Sequence, residues 1–313
     1  MRTCVIGGGG FVGSYLIETL MSTGRDVLAI GRRSERPTRL PPKAQYVSCD
    51  YGDRSSLRKL IENCDEIIDL AYATVPQTSF ANPIFDLQAN LAPSVALLEE
   101  ARDLTRLRRL IITSSGGTVY GRADRLPIIE EDRTAPISPY GITKLTIEHY
   151  AFMFNRLFDL PVTIVRPANA YGVGQKPFTG QGFIATAMGY ILKRENVLIF
   201  GENGTIRDYV HVRDVASGIL SAIENGSAGE IYNLGSGVGR SNRDVLNILS
   251  PIATGDGFDI SITCAEPRGF DVPANVLSYG KLLAQANWQP QVSFEDGLRE
   301  MWNDMRSQRI FNA

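Results

Sequence analysis

The sequence predicts an α/β fold in which helices cover both faces of a doubly wound parallel sheet, with a smaller α/β domain interleaved. Three observations lead to this class. Short apolar segments alternate with amphipathic ones over the first 170 residues, glycines cluster directly after the first apolar segment, and this regularity ends after Pro167. Strands separated by helical segments of about 10–20 residues form βαβ units, whose strands run parallel.

The elements follow in order along the chain. Strands are expected over 2–6, 26–30, 44–49, 66–69, 110–114 and 162–166. The amphipathic segments between them predict helices over 11–22, 55–62, 85–101 and 140–158. Gly, Pro, Gln and Asn then crowd residues 169–182, after which the pattern predicts a helix over 181–194, a strand over 197–200 and a helix over 212–224.

Composition and charge exclude several functional classes. The 313 residues are 43% hydrophobic and 21% charged, with 32 basic against 34 acidic residues. That balance gives no basic footprint for nucleic acid, and no apolar run approaches the ~20 residues that span a bilayer. Cys4, Cys49, Cys64 and Cys264 lack zinc-ligand spacing, so no metal is expected. Reduced cysteines without a signal peptide are typical of a cytoplasmic protein.

Gly7, Gly10 and Gly13 follow the first strand and lead into the first helix. Glycine allows a tight turn, lets a pyrophosphate approach bare backbone and leaves N–H groups open at the helix amino terminus. This strand–turn–helix context predicts a Rossmann-type dinucleotide site. The Gly-x-x-Gly-x-x-Gly spacing resembles that of the extended short-chain dehydrogenase/reductase family, in particular its NAD-dependent epimerases and dehydratases. The resemblance continues to Pro290 and implies a tightly bound NAD(P).

The end of the second strand carries Gly31, Arg32 and Arg33, where an NAD-binding protein usually has Asp or Glu on the adenosine ribose. Two guanidinium groups suit a 2′-phosphate and slightly favour NADP, whereas the epimerases that the chain resembles usually hold NAD. Alternatively, Arg32 or Arg33 stacks on adenine or is solvated. The resemblance implies further cofactor contacts at Phe11, Val12, Asp50, Tyr51, Ala71, Ala73, Asn90, Tyr140, Lys144 and Pro167.

Tyr140 and Lys144 stand four residues apart and therefore share one face of the predicted helix. A free phenol has a pKa near 10 and is a poor base at neutral pH. An ammonium group one turn away, together with a positively charged nicotinamide, favours the phenolate and lowers that pKa. Following Pro139, this pair resembles the catalytic motif of the family.

The loop after the fifth strand departs from the family pattern. Family members carry Ser or Thr three residues before the Val of a Val-Tyr-Gly motif, and here that position is Gly116. The resemblance therefore leaves Ser115 or Thr118 to reach the reacting hydroxyl, or a water to replace it, or both side chains only to shape the loop. Sugar dehydratases and decarboxylases of the family place an acid where Thr118 stands, so dehydration is disfavoured.

Several later residues match family segments that hold a nucleotide sugar. The resemblance places Asn169 and Arg207 on the substrate diphosphate, Arg268 on phosphate and Asp271 on ribose. Asn275 occupies a position that acts as a size gate in sugar 4-epimerases, where a bulky Tyr excludes an N-acetyl group. Asn is intermediate in size, so both plain and N-acetylated hexoses are expected to enter, unless Asn275 is a loop residue without contact.

Two interleaved domains follow from these assignments. We expect 1–168, with 206–226 returning to it, to bind the dinucleotide, and 169–205 with 227–313 to bind the nucleotide sugar. The family usually forms homodimers through the helix of Tyr140 and its neighbour, so a homodimer is expected. No nucleic-acid or membrane partner is expected.

The resemblance implies a sugar-nucleotide epimerase, acting at C4 of a UDP-hexose through a keto intermediate and transient hydride transfer. Two alternatives stay open. An NADPH-dependent keto-sugar-nucleotide reductase would use the same residues and would explain Arg32 and Arg33. A non-catalytic dinucleotide sensor is supported only by Gly116 at the hydroxyl position.

Overall fold

The structure, a computed structural model, describes residues 1–266 and 272–308. Its strands are β1 (Arg2–Ile6), β2 (Asp26–Gly31), β3 (Gln45–Ser48), β4 (Glu66–Asp69), β5 (Arg109–Thr113), β6 (Val162–Pro167), β7 (Asn169–Tyr171), β8 (Val197–Phe200), β9 (Ile206–His211), β10 (Ile231–Leu234), β11 (Gly239–Ser241), β12 (Ile262–Ala265) and β13 (Ala274–Asn275). Its helices are α1 (Phe11–Ser22), α2 (Arg54–Ile61), α3 (Pro76–Ala81), α4 (Pro83–Asp86), α5 (Ala92–Arg102), α6 (Pro139–Phe158), α7 (Phe183–Leu192), α8 (Val212–Asn225), α9 (Asn242–Gly255), α10 (Gly280–Ala286) and α11 (Phe294–Ser307).

Seven parallel strands form the central sheet in the order β10-β6-β5-β4-β1-β2-β3. The chain runs outward from β1 to β3, then crosses back to β4 on the other side of β1. Helices cover both faces: α1 and α8 pack on one, and α2, α5 and α6 on the other. This confirms the predicted doubly wound fold. Ligands bind such sheets beyond the carboxyl ends of the strands, where the strand order reverses.

The helix expected over 85–101 is interrupted. A π-helical turn, Leu87–Leu91, joins α4 to α5. Two side chains account for it. Asn90 Nδ2 donates to the carbonyl oxygen of Asp86 at 2.8 Å, which an α-helix would reserve for the Asn90 N–H. Pro93, in the first turn of α5, has no N–H to continue the regular ladder. π-turns inside helices are frequent at functional sites.

A smaller layer contains the remaining strands. β9 pairs with β11 on one side and with β13 and β7 on the other, and β8 pairs with β12. Helices α7, α9 and α11 pack around a separate apolar core there. The chain passes between the layers repeatedly, since β9 lies in the small sheet while β10 lies at the edge of the large one. The domain ranges expected from the sequence stay a prediction.

Candidate active site

The glycine loop between β1 and α1 is packed too tightly for side chains. Gly7 has a φ of 81°, and a Cβ on it would lie 3.0 Å from the backbone nitrogen of Ala71. A Cβ on Gly13 would lie 2.6 Å from the carbonyl oxygen of Gly7. Gly10 precedes α1, and no side chain caps the first N–H groups of this helix. The loop therefore fits a pyrophosphate that approaches bare backbone.

Arg32 and Arg33 lie exposed at the carboxyl end of β2. In the part of the chain that the structure describes, neither guanidinium joins an ion pair. Tyr46 donates its hydroxyl to the carbonyl oxygen of Arg33 at 2.8 Å, and it lies 3.0 Å from where a Cβ on Gly31 would stand. Gly31 ends this strand in place of a carboxylate, and the two arginines that follow it offer positive charge to the adenosine end of a dinucleotide.

Four other predicted cofactor contacts lie at the same edge of the sheet. Phe11 and Val12 are half-buried in the first turn of α1. Asp50 is exposed, and its Oδ1 accepts from the backbone N–H two residues on, at 2.9 Å. The carbonyl oxygen of Pro167 accepts from the Gly116 N–H at 2.9 Å. The structure therefore gathers the residues that follow β1, β3 and β6 at the carboxyl edge.

Buried side chains hold the loop after β4. Tyr51 donates its hydroxyl to Asp69 at 2.6 Å, and Asp69 also accepts from the Ala71 N–H at 3.0 Å. Asn90, on the π-turn, accepts from the Ala73 N–H at 2.7 Å and is 2% exposed. Burial raises the pKa of Asp69, although its hydrogen bonds from Tyr51 and Ala71 act to lower that pKa. Tyr51 and Asn90 thus fix the backbone over which the resemblance expects the dinucleotide to pass.

Helix α6 brings Tyr140 and Lys144 to one position. Ser138 caps the helix: its Oγ accepts a hydrogen bond from the backbone N–H of Gly141 at 3.1 Å. Lys144 Nζ donates to the carbonyl oxygen of Thr113 at 2.7 Å. The same ammonium lies 4.0 Å from the ring centre of Tyr72 and 5.9 Å from that of Tyr140. The pair predicted from its spacing therefore shares one face of the helix.

Burial shapes the charges of this pair. It lowers the pKa of Lys144 to about 8, although nearby carboxylates, Asp69 foremost, favour the ammonium form. Burial and then the Asp86 carboxylate raise the pKa of Tyr140 above its ordinary value, and a hydrogen bond with the Ser115 side chain lowers it. The phenol thus depends on neighbouring donors and cations to ionise at neutral pH.

Gly116 has no room for a side chain. A Cβ there would overlap Leu277 Cδ1 and lie 3.0 Å from the carbonyl oxygen of Arg166. Leu277 is fully buried, so it has little freedom to move aside. The hydroxyl that the family carries at this position is therefore excluded by packing in this chain.

Ser115, the residue before Gly116, carries a hydroxyl group of its own. Its side chain acts on Tyr140 and lowers the pKa of that phenol. The hydroxyl of Thr118, like those of Thr113 and Ser114, is buried and has no hydrogen-bond partner among the described residues. Since buried hydroxyls are normally paired, this cluster of open hydroxyls fits a polar ligand.

Two asparagines expected at the substrate site lie against the same loop. Asn169, the first residue of β7, has its Oδ1 3.1 Å from where a Cβ on Gly117 would stand. Asn275 is 2% exposed and donates Nδ2 to the carbonyl oxygen of Gly116 at 3.0 Å. Asn275 therefore supports the loop that carries Ser115, a contact that its position in the sequence did not reveal.

Arg207 lies half-buried on β9, directly beside Asn275 of β13. Its Nη1 donates to the carbonyl oxygens of Ile206 and Val272, both at 2.8 Å. These contacts fix the guanidinium beside the asparagines. Arg268 and Asp271, the other residues expected to hold the nucleotide, lie outside the described residues.

Asp86 is a site residue that sequence reasoning missed. It is fully buried and accepts hydrogen bonds from Thr143, at 2.6 Å, and from Thr74. Its carboxylate acts on the pKa of Tyr140, Lys144 and Tyr72. A signal existed in the sequence, since an acid in an apolar helical segment must find partners, but nothing there showed which helix it faces.

A family comparison agrees with this geometry. The model of the NAD dependent epimerase/dehydratase family matches residues 3–235, which cover the glycine loop, the Tyr140–Lys144 pair and Arg207. The chain belongs to this family. The epimerase/dehydratase family was the expectation from the glycine spacing and the Tyr-Lys motif, and that expectation is confirmed.

Individual members of the epimerase/dehydratase family match nearly end to end. A UDP-glucose 4-epimerase of Mycolicibacterium smegmatis is 33% identical, over 95% of this chain and 96% of the relative. The crystal structure of a Thermotoga maritima UDP-glucose 4-epimerase with UDP-glucose superposes with a TM-score of 0.91, at 31% identity, covering 98% of this chain and 99% of that one. A Thermus thermophilus UDP-glucose 4-epimerase with NAD gives 0.89 at 29% identity, covering 98% and 99%.

Within 1–266 and 272–308, no helix is both long and apolar enough to cross a bilayer. The same residues contain no group of three or more His, Cys, Asp or Glu side chains placed to hold a metal ion.

Proposed function

We propose that this chain is a sugar-nucleotide epimerase that inverts C4 of a UDP-linked hexose through a 4-keto intermediate. The observation that carries the proposal is the meeting of Tyr140, Lys144 and Ser115 beside the glycine loop. The two structural relatives are UDP-glucose 4-epimerases, one with UDP-glucose and one with NAD, which supports the same activity here.

The residues fit a nicotinamide dinucleotide. Gly7, Gly10 and Gly13 offer a cradle that a Cβ would fill, and Ala71 forms its other wall. Lys144 would hold a ribose hydroxyl of the cofactor through its ammonium. When bound, the cofactor supplies a reversible hydride acceptor. The remaining chemistry belongs to the side chains of this chain.

Tyr140 is the acid/base in this proposal. As a phenolate it removes the proton from the C4 hydroxyl, and as a phenol it returns that proton to the inverted alcohol. Lys144 lowers the cost of the phenolate through its positive charge, and Ser115 stabilises the same oxygen by a hydrogen bond. Thr118, with an open buried hydroxyl in the same loop, is a second candidate donor to the sugar.

Inversion requires the keto sugar to turn over without leaving. We assign Asn169 and Arg207 to the diphosphate, which would then serve as a fixed tether, and we assign Arg268 to phosphate and Asp271 to ribose. A sugar held only through its diphosphate can present either face of C4 to Tyr140. Since Asn275 is short and turned towards Gly116, we propose that both plain and N-acetylated hexoses enter.

Dehydration is disfavoured by the absence of an acid at Thr118, where dehydratases that the chain resembles carry one. A hydroxyl with a pKa far above neutrality cannot protonate a leaving water as a carboxylic acid does. The family name covers both reactions, so this residue is the one that separates them here.

A second candidate function is an NADPH-dependent reductase of a keto-sugar nucleotide. It is favoured by one observation: Arg32 and Arg33 lie exposed at the end of β2, and neither joins an ion pair among the described residues. Two guanidinium groups can bind a 2′-phosphate bidentately. An epimerase with NADP is compatible with the same residues, so the cofactor alone does not separate the two activities.

The experiment that tests the proposal uses purified protein without added cofactor. The protein is denatured and the released dinucleotide is identified, and fresh protein is incubated with UDP-glucose, UDP-galactose and their N-acetyl forms. Interconversion at C4 supports the epimerase and shows what Asn275 admits. No interconversion, with an empty or NADPH-exchangeable site, contradicts it and favours the reductase. Tyr140→Phe serves as the inactive control.

A further inference from the structure

Tyr72 lies against both members of the pair assigned to catalysis. Its ring meets the Tyr140 ring edge to face, with centres 4.7 Å apart and planes at 64°. Lys144 Nζ lies 4.0 Å from the centre of the same ring. One face of Tyr72 therefore receives the ammonium while the ring also packs on the phenol.

The backbone on each side of Tyr72 is fixed. The Ala71 N–H donates to Asp69 at 3.0 Å, and the Ala73 N–H donates to Asn90 at 2.7 Å. Both acceptors are buried, at 4% and 2% exposed. A ring whose two neighbours are held this way keeps a set position, so its contact with Lys144 is built into the loop rather than left to a free side chain.

The charged groups that face Lys144 have other partners. Asp69, the last residue of β4, accepts from Tyr51. Asp86, on α4, accepts from Thr74 and Thr143. Glu148, on α6, forms a buried ion pair with Arg166.

These carboxylates act on the ammonium through space, whereas the Thr113 carbonyl and the ring of Tyr72 touch it. An ammonium taken out of water gains most from such a contact.

We propose that Tyr72 is a positioning residue for the reaction: its ring holds the Lys144 ammonium, charged and directed to the Tyr140 oxygen. The proposal rests on the proposed function, in which Lys144 and Tyr140 are the catalytic pair. Both contacts use the ring and neither uses the hydroxyl. Phenylalanine at position 72 preserves them, and an aliphatic side chain removes them.

The test compares Tyr72→Leu with Tyr72→Phe in the protein as purified with its cofactor. Removing the ring destabilises the charged form of Lys144, so the pH at which activity is lost on the alkaline side falls by about one unit. At pH 8 the charged fraction of Lys144, and with it the rate, then drops roughly fivefold, with a much smaller change in KM. Tyr72→Phe restores the wild-type pH profile.

A second readout does not depend on turnover. Protein labelled with ¹³C at lysine Cε is titrated by NMR, with the Lys144 signal identified by its loss in Lys144→Met. Tyr72→Leu lowers the titration midpoint of Lys144 by about one unit, and Tyr72→Phe leaves it unchanged. This arm still reports on Tyr72 if the wild-type protein shows no epimerase activity, so the two proposals fail separately.

Two variants guard against trivial explanations. Tyr190→Leu removes another half-buried ring, which meets Phe178 edge to face with ring centres 5.0 Å apart, and should leave the pH profile unchanged. Tyr72→Met, with a flexible side chain that fills gaps, replaces Tyr72→Leu if that variant does not fold. An alkaline limb and a Lys144 midpoint that stay at their wild-type values without the ring would overturn the proposal.

Discussion

Leu277 occupies the space that a side chain on Gly116 would need. This contact explains why the loop after β5 lacks a hydroxyl at the position where the family carries one. The neighbouring Ser115 lowers the pKa of Tyr140 instead, so the loop keeps a hydroxyl that acts on the phenol, one residue earlier in the chain.

The first prediction tests whether the Ser115 hydroxyl takes the role of the hydroxyl that the family carries at the position of Gly116. Ser115→Ala should lower kcat by about 10²-fold, because a donor to the Tyr140 oxygen is lost, while the bound dinucleotide stays in place. Adding Gly116→Ser should not restore the rate, since its Cβ meets Leu277, and overpacking should cost about 1–3 kcal/mol of stability. Steady-state kinetics and urea unfolding measure the two effects. Full activity in Ser115→Ala would remove Ser115 from the mechanism.

The pH dependence follows from Lys144, whose pKa burial lowers to about 8. Below that pH the ammonium is present and supports the Tyr140 phenolate, and as pH rises through about 8 it is lost. Activity should therefore fall on the alkaline side near pH 8. Lys144→Arg keeps a charge at all accessible pH values, so any residual activity in that variant should lose the alkaline limb. An identical limb in Lys144→Arg would assign it to another group.

Arg207 should act on binding rather than on chemistry. Removing a charged donor to a diphosphate costs about 1.5–3 kcal/mol, so Arg207→Ala should raise KM for the nucleotide sugar by roughly 10–100-fold with a small change in kcat. Initial-rate measurements with UDP-glucose test this. Arg243→Ala is a control on the same layer, since Arg243 is half-buried like Arg207 and donates to a backbone carbonyl. Equal KM values in the two variants would exclude Arg207 from the diphosphate site.

A buried ion pair should dominate local stability beneath the site. Arg166 and Glu148 have side chains 2% and 1% exposed, and Arg166 also donates to Tyr120 at 2.8 Å. Glu148→Ala leaves the guanidinium charge buried without its carboxylate, which should cost about 3–5 kcal/mol. The exposed pair of Arg54 with Glu99 offers the control, and Glu99→Ala should cost less than about 1 kcal/mol. Urea unfolding measures the free energy of unfolding of both variants, and an equal loss of stability in the two would contradict this expectation.

We propose that an apolar stripe on α6 is the face through which the expected homodimer forms. Ile142 and Leu157 are 51% and 65% exposed, and Ile84 and Phe85 of α4 add 60% and 47% beside them. Large exposed apolar patches are typical of interaction sites. We expect a dimer in light scattering and a monomer in the double variant Ile142→Glu/Leu157→Glu. Leu126→Glu, 45% exposed and outside this face, should stay dimeric. A monomeric wild-type protein would contradict the assignment.

The sheet could be predicted from sequence because its signals are local. Each strand is an apolar segment followed by a turn. The glycines after β1, which have no Cβ, predict a tight turn at that point. The Tyr140–Lys144 pair was equally readable, since spacing on one helix sets which side chains share a face.

The rest depends on contacts between distant segments. The exclusion of a side chain at Gly116 requires Leu277, and the role of Asn275 as a support requires the Gly116 carbonyl. Asp86 and Tyr72 meet the catalytic pair only because α4 and the loop after β4 pack against α6. The helix expected over 85–101 was wrong in detail because the Asn90 side chain competes with the backbone, which no period in the sequence reveals.

The most direct test of the central claim follows the hydrogen at C4. UDP-glucose carrying deuterium at C4 is incubated with the purified protein, without added dinucleotide, and the product is examined by mass spectrometry and NMR. Inversion through a keto sugar held at Tyr140 predicts UDP-galactose that keeps its deuterium at C4. Loss of the deuterium to water, or a product that forms only with stoichiometric NADPH, would contradict the account.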